Sequence, residues 1–374
     1  MFFFNIVSRL TIAPLLPILE QEFHLRHGVA GSLYLFIGLG YATGLYVSGY
    51  LAFQFNHRLT IALSSVMIGA ALFTSAWAPA LWGIRASVVL LGLGGGLYLP
   101  SGIAALTENT PQPAWGKALA IHELGPNLAY ICAPLLAELL LGFVSWRGVL
   151  RILGMLALLL GLVFLLAGLG GPSKGRPPSP ATVRTIARDP ALWAMAGLFA
   201  VAIGAGIGLY TMLPLFLVNE VGLNRMSANL ITGLTRVSAP GSVLAAGLLT
   251  DRIGRRRTIA LSLAGAGCST LALGLVPSPW TSPFLIFVQA AFAAAVYPSA
   301  FAIIAALFPL PLRNVAISMI MIVGVLFGAG AVPPIIGMLA DRFSFSLAFT
   351  AAGLTTLVSL LLLRLLPPSS QNAR

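Results

Sequence analysis

Apolar residues run along this chain in long blocks, and polar and charged residues are confined to the short gaps between them. Twelve blocks lie near residues 1–19, 28–54, 59–77, 81–107, 117–141, 148–170, 191–217, 226–249, 258–276, 281–308, 314–339 and 346–366. Each can cross a hydrocarbon layer, which needs roughly 20 residues of α-helix. None alternates with a period of two, and each exceeds the roughly ten residues of a barrel strand. The pattern predicts an all-α membrane protein with twelve transmembrane helices. The first block starts at Met1 with no basic leader region or small-residue cleavage site, so it reads as a retained first helix, or as a start codon placed slightly late.

Composition agrees, because 58% hydrophobic and only 8% charged residues lie far outside the range of a soluble domain. The net charge of +12 would suggest nucleic acid in a soluble protein, but here its placement across a bilayer is what matters. With the N-terminus inside, thirteen basic residues fall on the inner side: Arg58, Lys117, Lys174, Arg176, Arg184, Arg188, Arg252, Arg255, Arg256, Arg257, Arg313, Arg364 and Arg374. Six fall outside: Arg26, Arg85, Arg147, Arg151, Arg225 and Arg342. The excess predicts both termini in the cytoplasm, and the chain in a bacterial cytoplasmic membrane with lipids around it. Cys132 and Cys268 sit in different blocks as small hydrophobes, so no disulfide, metal or cofactor is implied.

Shifting the chain by 198 residues lays GYLAFQFNHRLTIAL (49–63) under GLLTDRIGRRRTIAL (247–261), with Gly49, Leu51, Arg58, Thr60, Ile61, Ala62 and Leu63 matched. In the same register Glu22 falls on Glu220, Pro100 and Ser101 on Pro298 and Ser299, and Pro111 and Pro113 on Pro309 and Pro311. With one residue of slip, Pro134 and Ser145 meet Pro333 and Ser344. The chain reads as two copies of a six-helix unit, 1–170 and 191–374. An even helix number gives both copies the same orientation in the membrane. The Pro-, Gly- and Arg-rich stretch 171–190 reads as the linker between them.

These features together resemble a major facilitator superfamily transporter. The resemblance covers the whole chain, and its most specific element is the G-x-L-x-D-R-x-G-R-R signature at Gly247, Leu249, Asp251, Arg252, Gly254, Arg255 and Arg256. The first-half copy departs from it, with Phe53 in place of the aspartate and Asn56 in place of the second glycine. The resemblance implies a cytoplasmic gate at this loop. Physically, Gly254 would supply the sharp turn, Gly247 would admit a close neighbour, and Asp251 would pair with an arginine or a facing helix N-terminus. The arginines alone would also serve the positive-inside bias.

Ionisable groups within a membrane helix are costly and therefore candidate functional groups. Arg9 lies mid-way along the first block, Arg236 mid-way along the eighth, and His122 and Glu123 about two turns into the fifth. The resemblance places all of them on cavity-lining helices. Two fixed positive charges with planar donors suit a carboxylate, nitrate or phosphate oxygen pair. The expected function is thus a secondary transporter of a small organic or inorganic anion, working by alternating access. Arg9, Arg236, Tyr98 and Tyr297 are the expected substrate ligands, and Glu123 with His122 the expected proton-coupling group. Asn5, Tyr41, Asn127 and Tyr210 could also line the cavity, while Glu123 could instead simply neutralise an arginine. Drug export is the alternative, because ELGPNLAYICAP (123–134) carries the Gly125-Pro126 core of the antiporter motif without its other glycines. No catalytic constellation is present: GLGGG follows no strand, and GGPSKG lacks the order of a phosphate loop.

Overall fold

The computed structural model describes residues 1–168, 174 and 179–366, and these fold into helices joined by short turns. The helices are α1 (Phe2–Phe23), α2 (His27–Phe55), α3 (His57–Trp77), α4 (Leu81–Glu108), α5 (Trp115–Leu141), α6 (Trp146–Ala167), α7 (Pro190–Asn219), α8 (225–253), α9 (Arg255–Leu275), α10 (Thr281–Leu307), α11 (310–342) and α12 (Phe345–Leu365). Among the described residues eleven segments are long and apolar enough to cross a membrane; α8 is not among them, being less apolar, with Arg236 and several small polar residues along it. A short helix, Pro180–Ala187, precedes α7. Residues 171–173 and 175–178 of the expected linker, with Arg176, and the tail from 367 on, with Arg374, lie outside the described residues.

Two of the helix interruptions fall four residues or fewer before a proline. Proline lacks the N–H that would bond the carbonyl four residues earlier. Pro14 thereby frees Leu10, where α1 is interrupted at Thr11. Pro240 frees Arg236, where α8 tightens into a 3-10 turn over Thr235–Val237. Both candidate arginines therefore sit at or beside a proline-made kink.

The sequence repeat reappears as contacts. His24 and Gly222 both have positive φ, as do Asn56 (+96°) and Gly254 (+89°), and each pair is 198 residues apart. Asn56 makes its strained turn useful by accepting a hydrogen bond from Leu59 N at the start of α3. Arg58 donates to Leu165 O at the end of α6, and Arg256 to Leu366 O at the end of α12. Glu22 accepts hydrogen bonds from Trp146 Nε1 and Arg147 at the start of α6; its counterpart Glu220 accepts from Phe345 N and Ser346 Oγ at the start of α12. Ser145 and Ser344 cap those two helices.

The glycine run of α4 gives each neighbour its own close approach. A Cβ on Gly92 or Gly96 would lie 2.0 or 2.2 Å from the backbone of α2, and one on Gly94 3.0 Å from Ser64 O of α3. The Gly95 position lies against Arg9.

The two halves meet at the end remote from the chain termini. There Asp341, finishing α11, accepts hydrogen bonds from His27 N and Gly28 N at 2.8 Å each, which caps the start of α2. Gly31 packs on Pro333 and Gly38 on Gly330. On the other side, Glu138 of α5 accepts from Arg225 Nη1 and Asn229 Nδ2 of α8, both at 2.8 Å, and Gly233 lies against Ile131. Nearer mid-depth, Tyr210 donates to Tyr130 O at 2.8 Å. Towards the termini the same helix faces part. Residues recurring every three or four positions share a helix face, so Tyr46 and Phe53 continue the Gly38 row, Leu124 the Ile131 row, and Leu244 the Gly233 row; all are exposed. Seen whole, the molecule is sealed at one end and open at the end that bears Met1.

Candidate functional site

Arg236 is 5% exposed and held from several sides. Its Nη2 donates to Gly206 O at 2.8 Å, and its guanidinium carbon lies 4.6 Å from the ring centre of Tyr210 and 5.3 Å from that of Tyr130. Tyr297 is within electrostatic reach, and its hydroxyl lies 3.5 Å from where a Gly206 Cβ would be. Arg9 donates from Nη2 to Asn5 Oδ1 at 3.2 Å, with Tyr41 4.4 Å from its guanidinium carbon. Asn5 in turn donates to Gly95 O, so one amide orientation satisfies both bonds. A Cβ at Gly95 would stand 3.1 Å from the Arg9 side chain, which explains a glycine there.

Tyr130 links the two arginines, being within electrostatic reach of both. Neither arginine is ion-paired to a carboxylate among the described residues, and the Nε–H of each is buried without a hydrogen-bond partner. Aromatic faces and single carbonyls stabilise a guanidinium only in part. Two undercompensated positive charges in a membrane interior attract an anion strongly, and planar N–H donors suit oxyanion acceptors.

The structure brings the expected residues into two groups. Tyr297 joins Arg236. Tyr98 instead shares a hydrogen bond of 3.2 Å with His122 Nε2, and Phe2 stacks over both rings at 5.2 and 4.4 Å. Glu123 Oε1 lies 3.4 Å from His122 Nδ1, with its side chain 58% exposed. Glu123 therefore neutralises neither arginine by direct pairing. Asn127 donates within its own helix, to Glu123 O. Sequence reasoning does not single out Tyr130 or Gln289; a lone glutamine in FVQAAF is the available signal for the latter.

The signature loop is also in place. Gly254 makes the turn with φ +89°. Gly247, expected to admit a close neighbour, has nothing within 4 Å of where a Cβ would stand. Asp251 and Arg252 are exposed, Arg255 is partly buried, and Arg256 is committed to the α12 carbonyl described above.

Comparisons agree with this architecture. Two relatives are the nitrite extrusion protein of Bacillus subtilis (strain 168), 26% identical over 62% of this chain, and the probable nitrate transporter NarT of Staphylococcus aureus (strain Newman), 22% identical over 71% of it. The matched stretches span 58% and 67% of those relatives' own lengths. Among solved structures, a D-xylose–proton symporter superposes with a TM-score of 0.81 at 16% identity, covering 99% of this chain and 96% of its own. A bacterial homolog of the human lysosomal transporter Spinster, in an inward-facing and occupied conformation, gives 0.80 at 16%, covering 97% and 93%. These likenesses show a shared fold. The Major Facilitator Superfamily model matches residues 1–244 and 230–374, and with helices, repeat and signature loop all in agreement, this chain belongs to that superfamily.

Proposed function

We propose that the protein is a secondary transporter that carries a small inorganic anion, of the nitrate or nitrite kind, across a bacterial cytoplasmic membrane by alternating access. The observation that carries this reading is the pair of half-buried Arg9 and buried Arg236, beside helix interruptions in opposite halves, each with a buried unpartnered Nε–H and no carboxylate paired to it among the described residues. The anions named in the two relatives are small, planar and monovalent. One such anion between two guanidiniums leaves a net positive site, which favours a charged guest over an apolar one.

The two halves, 1–170 and 191–374, would rock about this site. The positive-inside bias puts the termini, and hence the open end, in the cytoplasm, so the structure corresponds to an inward-facing state. The outer seal is made by Asp341 on α2 and by Glu138 on α8. The inner seal forms when the exposed rows on α2, α5 and α8 close, with exposed Asp251 placed to meet the opposite half. The His122–Glu123 pair, stacked under Phe2 and open to the inner side, is the group proposed to exchange protons with the cytoplasm.

Saturable nitrate uptake into vesicles containing the purified protein, lost in Arg236→Gln, is the expected result. Equal uptake by that variant would overturn the site assignment, and transport of lipophilic cations but not anions would favour drug export.

A further inference from the structure

We propose that Gln289 is a positioning residue for Arg236, acting through a π-helical turn of α7; this rests on the reading of Arg236 as an anion ligand. The turn covers Gly204–Gly208, GAGIG, in the middle of a membrane helix. A π turn displaces the regular i to i−4 bonding and so leaves backbone carbonyls available to side chains. In hydrocarbon such carbonyls must find donors within the protein.

Two consecutive ones do. Ala205 O accepts from Gln289 Nε2 at 2.7 Å, and Gly206 O accepts from Arg236 Nη2 at 2.8 Å. Gln289 comes from α10, is fully buried, and has its Oε1 unpartnered among the described residues. Burying half an amide unsatisfied is a cost that packing alone does not explain, since methionine or leucine would fill the same space without it. The turn explains it. With its donor at Ala205, Gln289 keeps α7 from winding back into a regular α-helix, in which Gly206 O would bond Tyr210 N instead of Arg236. The guanidinium would then lose its one backbone anchor and with it a fixed direction for its Nε–H. The first half achieves the same end directly, since the amide of Asn5 bonds Arg9 itself.

The test measures KM and Vmax for nitrate uptake by the full-length protein in liposomes, for wild type, Gln289→Met, Arg236→Lys and the double variant. A positioning role predicts that Gln289→Met raises KM about tenfold while Vmax stays within about twofold. It also predicts that the same change does little more in the Arg236→Lys background, because the group it orients is gone. Gln289→Asn, which keeps a buried amide but is one methylene too short for Ala205 O, should raise KM similarly if the methionine variant does not fold. An unchanged KM in the Gln289 variants, or a shift that simply multiplies with that of Arg236→Lys, overturns the inference while leaving the anion site intact. An Arg236→Lys variant indistinguishable from wild type, or no saturable nitrate uptake by wild type, would overturn the underlying reading itself.

Discussion

Asp341→Asn should loosen the seal at the end remote from the termini. In the wild type both carboxylate oxygens are used, Oδ1 by His27 N and Oδ2 by Gly28 N, each at 2.8 Å. Hydrogen bonds to a charged group contribute about 1.5–3 kcal/mol each, and a negative charge at a helix N-terminus adds about 0.3–1 kcal/mol. Asparagine keeps one acceptor oxygen, turns an NH2 group towards the second N–H and removes the charge. Because Asp341 is exposed, solvent screening lowers the loss to about 1–2 kcal/mol. At about 1.4 kcal/mol per factor of ten, the closed-to-open ratio at that end falls by roughly five- to thirtyfold. Spin labels at Trp82→Cys and Trp280→Cys, exposed counterparts in the two halves, report the separation once Cys132 and Cys268 are replaced. Asp341→Asn should add a longer-distance population that wild type nearly lacks. An unchanged distance distribution would refute the idea that this cap holds the seal.

The repeat makes further outcomes calculable. Asn56→Ala and Gly254→Ala each force alanine into positive φ and should cost about 1–3 kcal/mol, whereas Asn56→Gly, losing only the cap, should be nearly neutral in thermal melts. Glu22→Gln and Glu220→Gln should each lower the melting temperature, and their effects should add, because they anchor α6 and α12 in separate halves. His122→Gln should leave nitrate uptake measurable in the absence of a pH gradient but remove its stimulation by an imposed one; full stimulation would take His122 out of the coupling role.

Much of this architecture is legible in the sequence. Apolar blocks have the length of membrane helices, and polar matches such as Glu22 with Glu220 mark the repeat because they are rare in such blocks. The arginines stand out for the same reason. What the chain does not reveal is which helix faces meet. Tyr98 falls among the expected substrate ligands by its place beside a matched Pro-Ser pair, yet depth along a helix says nothing about azimuth, and it turns towards His122. Arg225 reads in the sequence only as an outer-side charge, and its pairing with Glu138, like the capping of α2 by Asp341, depends on contacts between helices some 90 to 310 residues apart in sequence. The expectation for Gly247 rests on a glycine's ability to admit a close neighbour, and in this structure no atom lies within 4 Å of its Cβ position. Gln289 acts through a turn geometry that no local pattern announces.

The central claim is that Arg9 and Arg236 together hold an anion. The melting temperature of the purified protein, with and without nitrate, for wild type, Arg9→Gln and Arg236→Gln tests it most directly. A ligand at about 100 times its Kd stabilises the folded state by about 2.7 kcal/mol, enough to move the transition visibly. Nitrate should raise the transition of wild type and of neither variant. An equal rise in all three proteins would contradict the account and make both arginines structural.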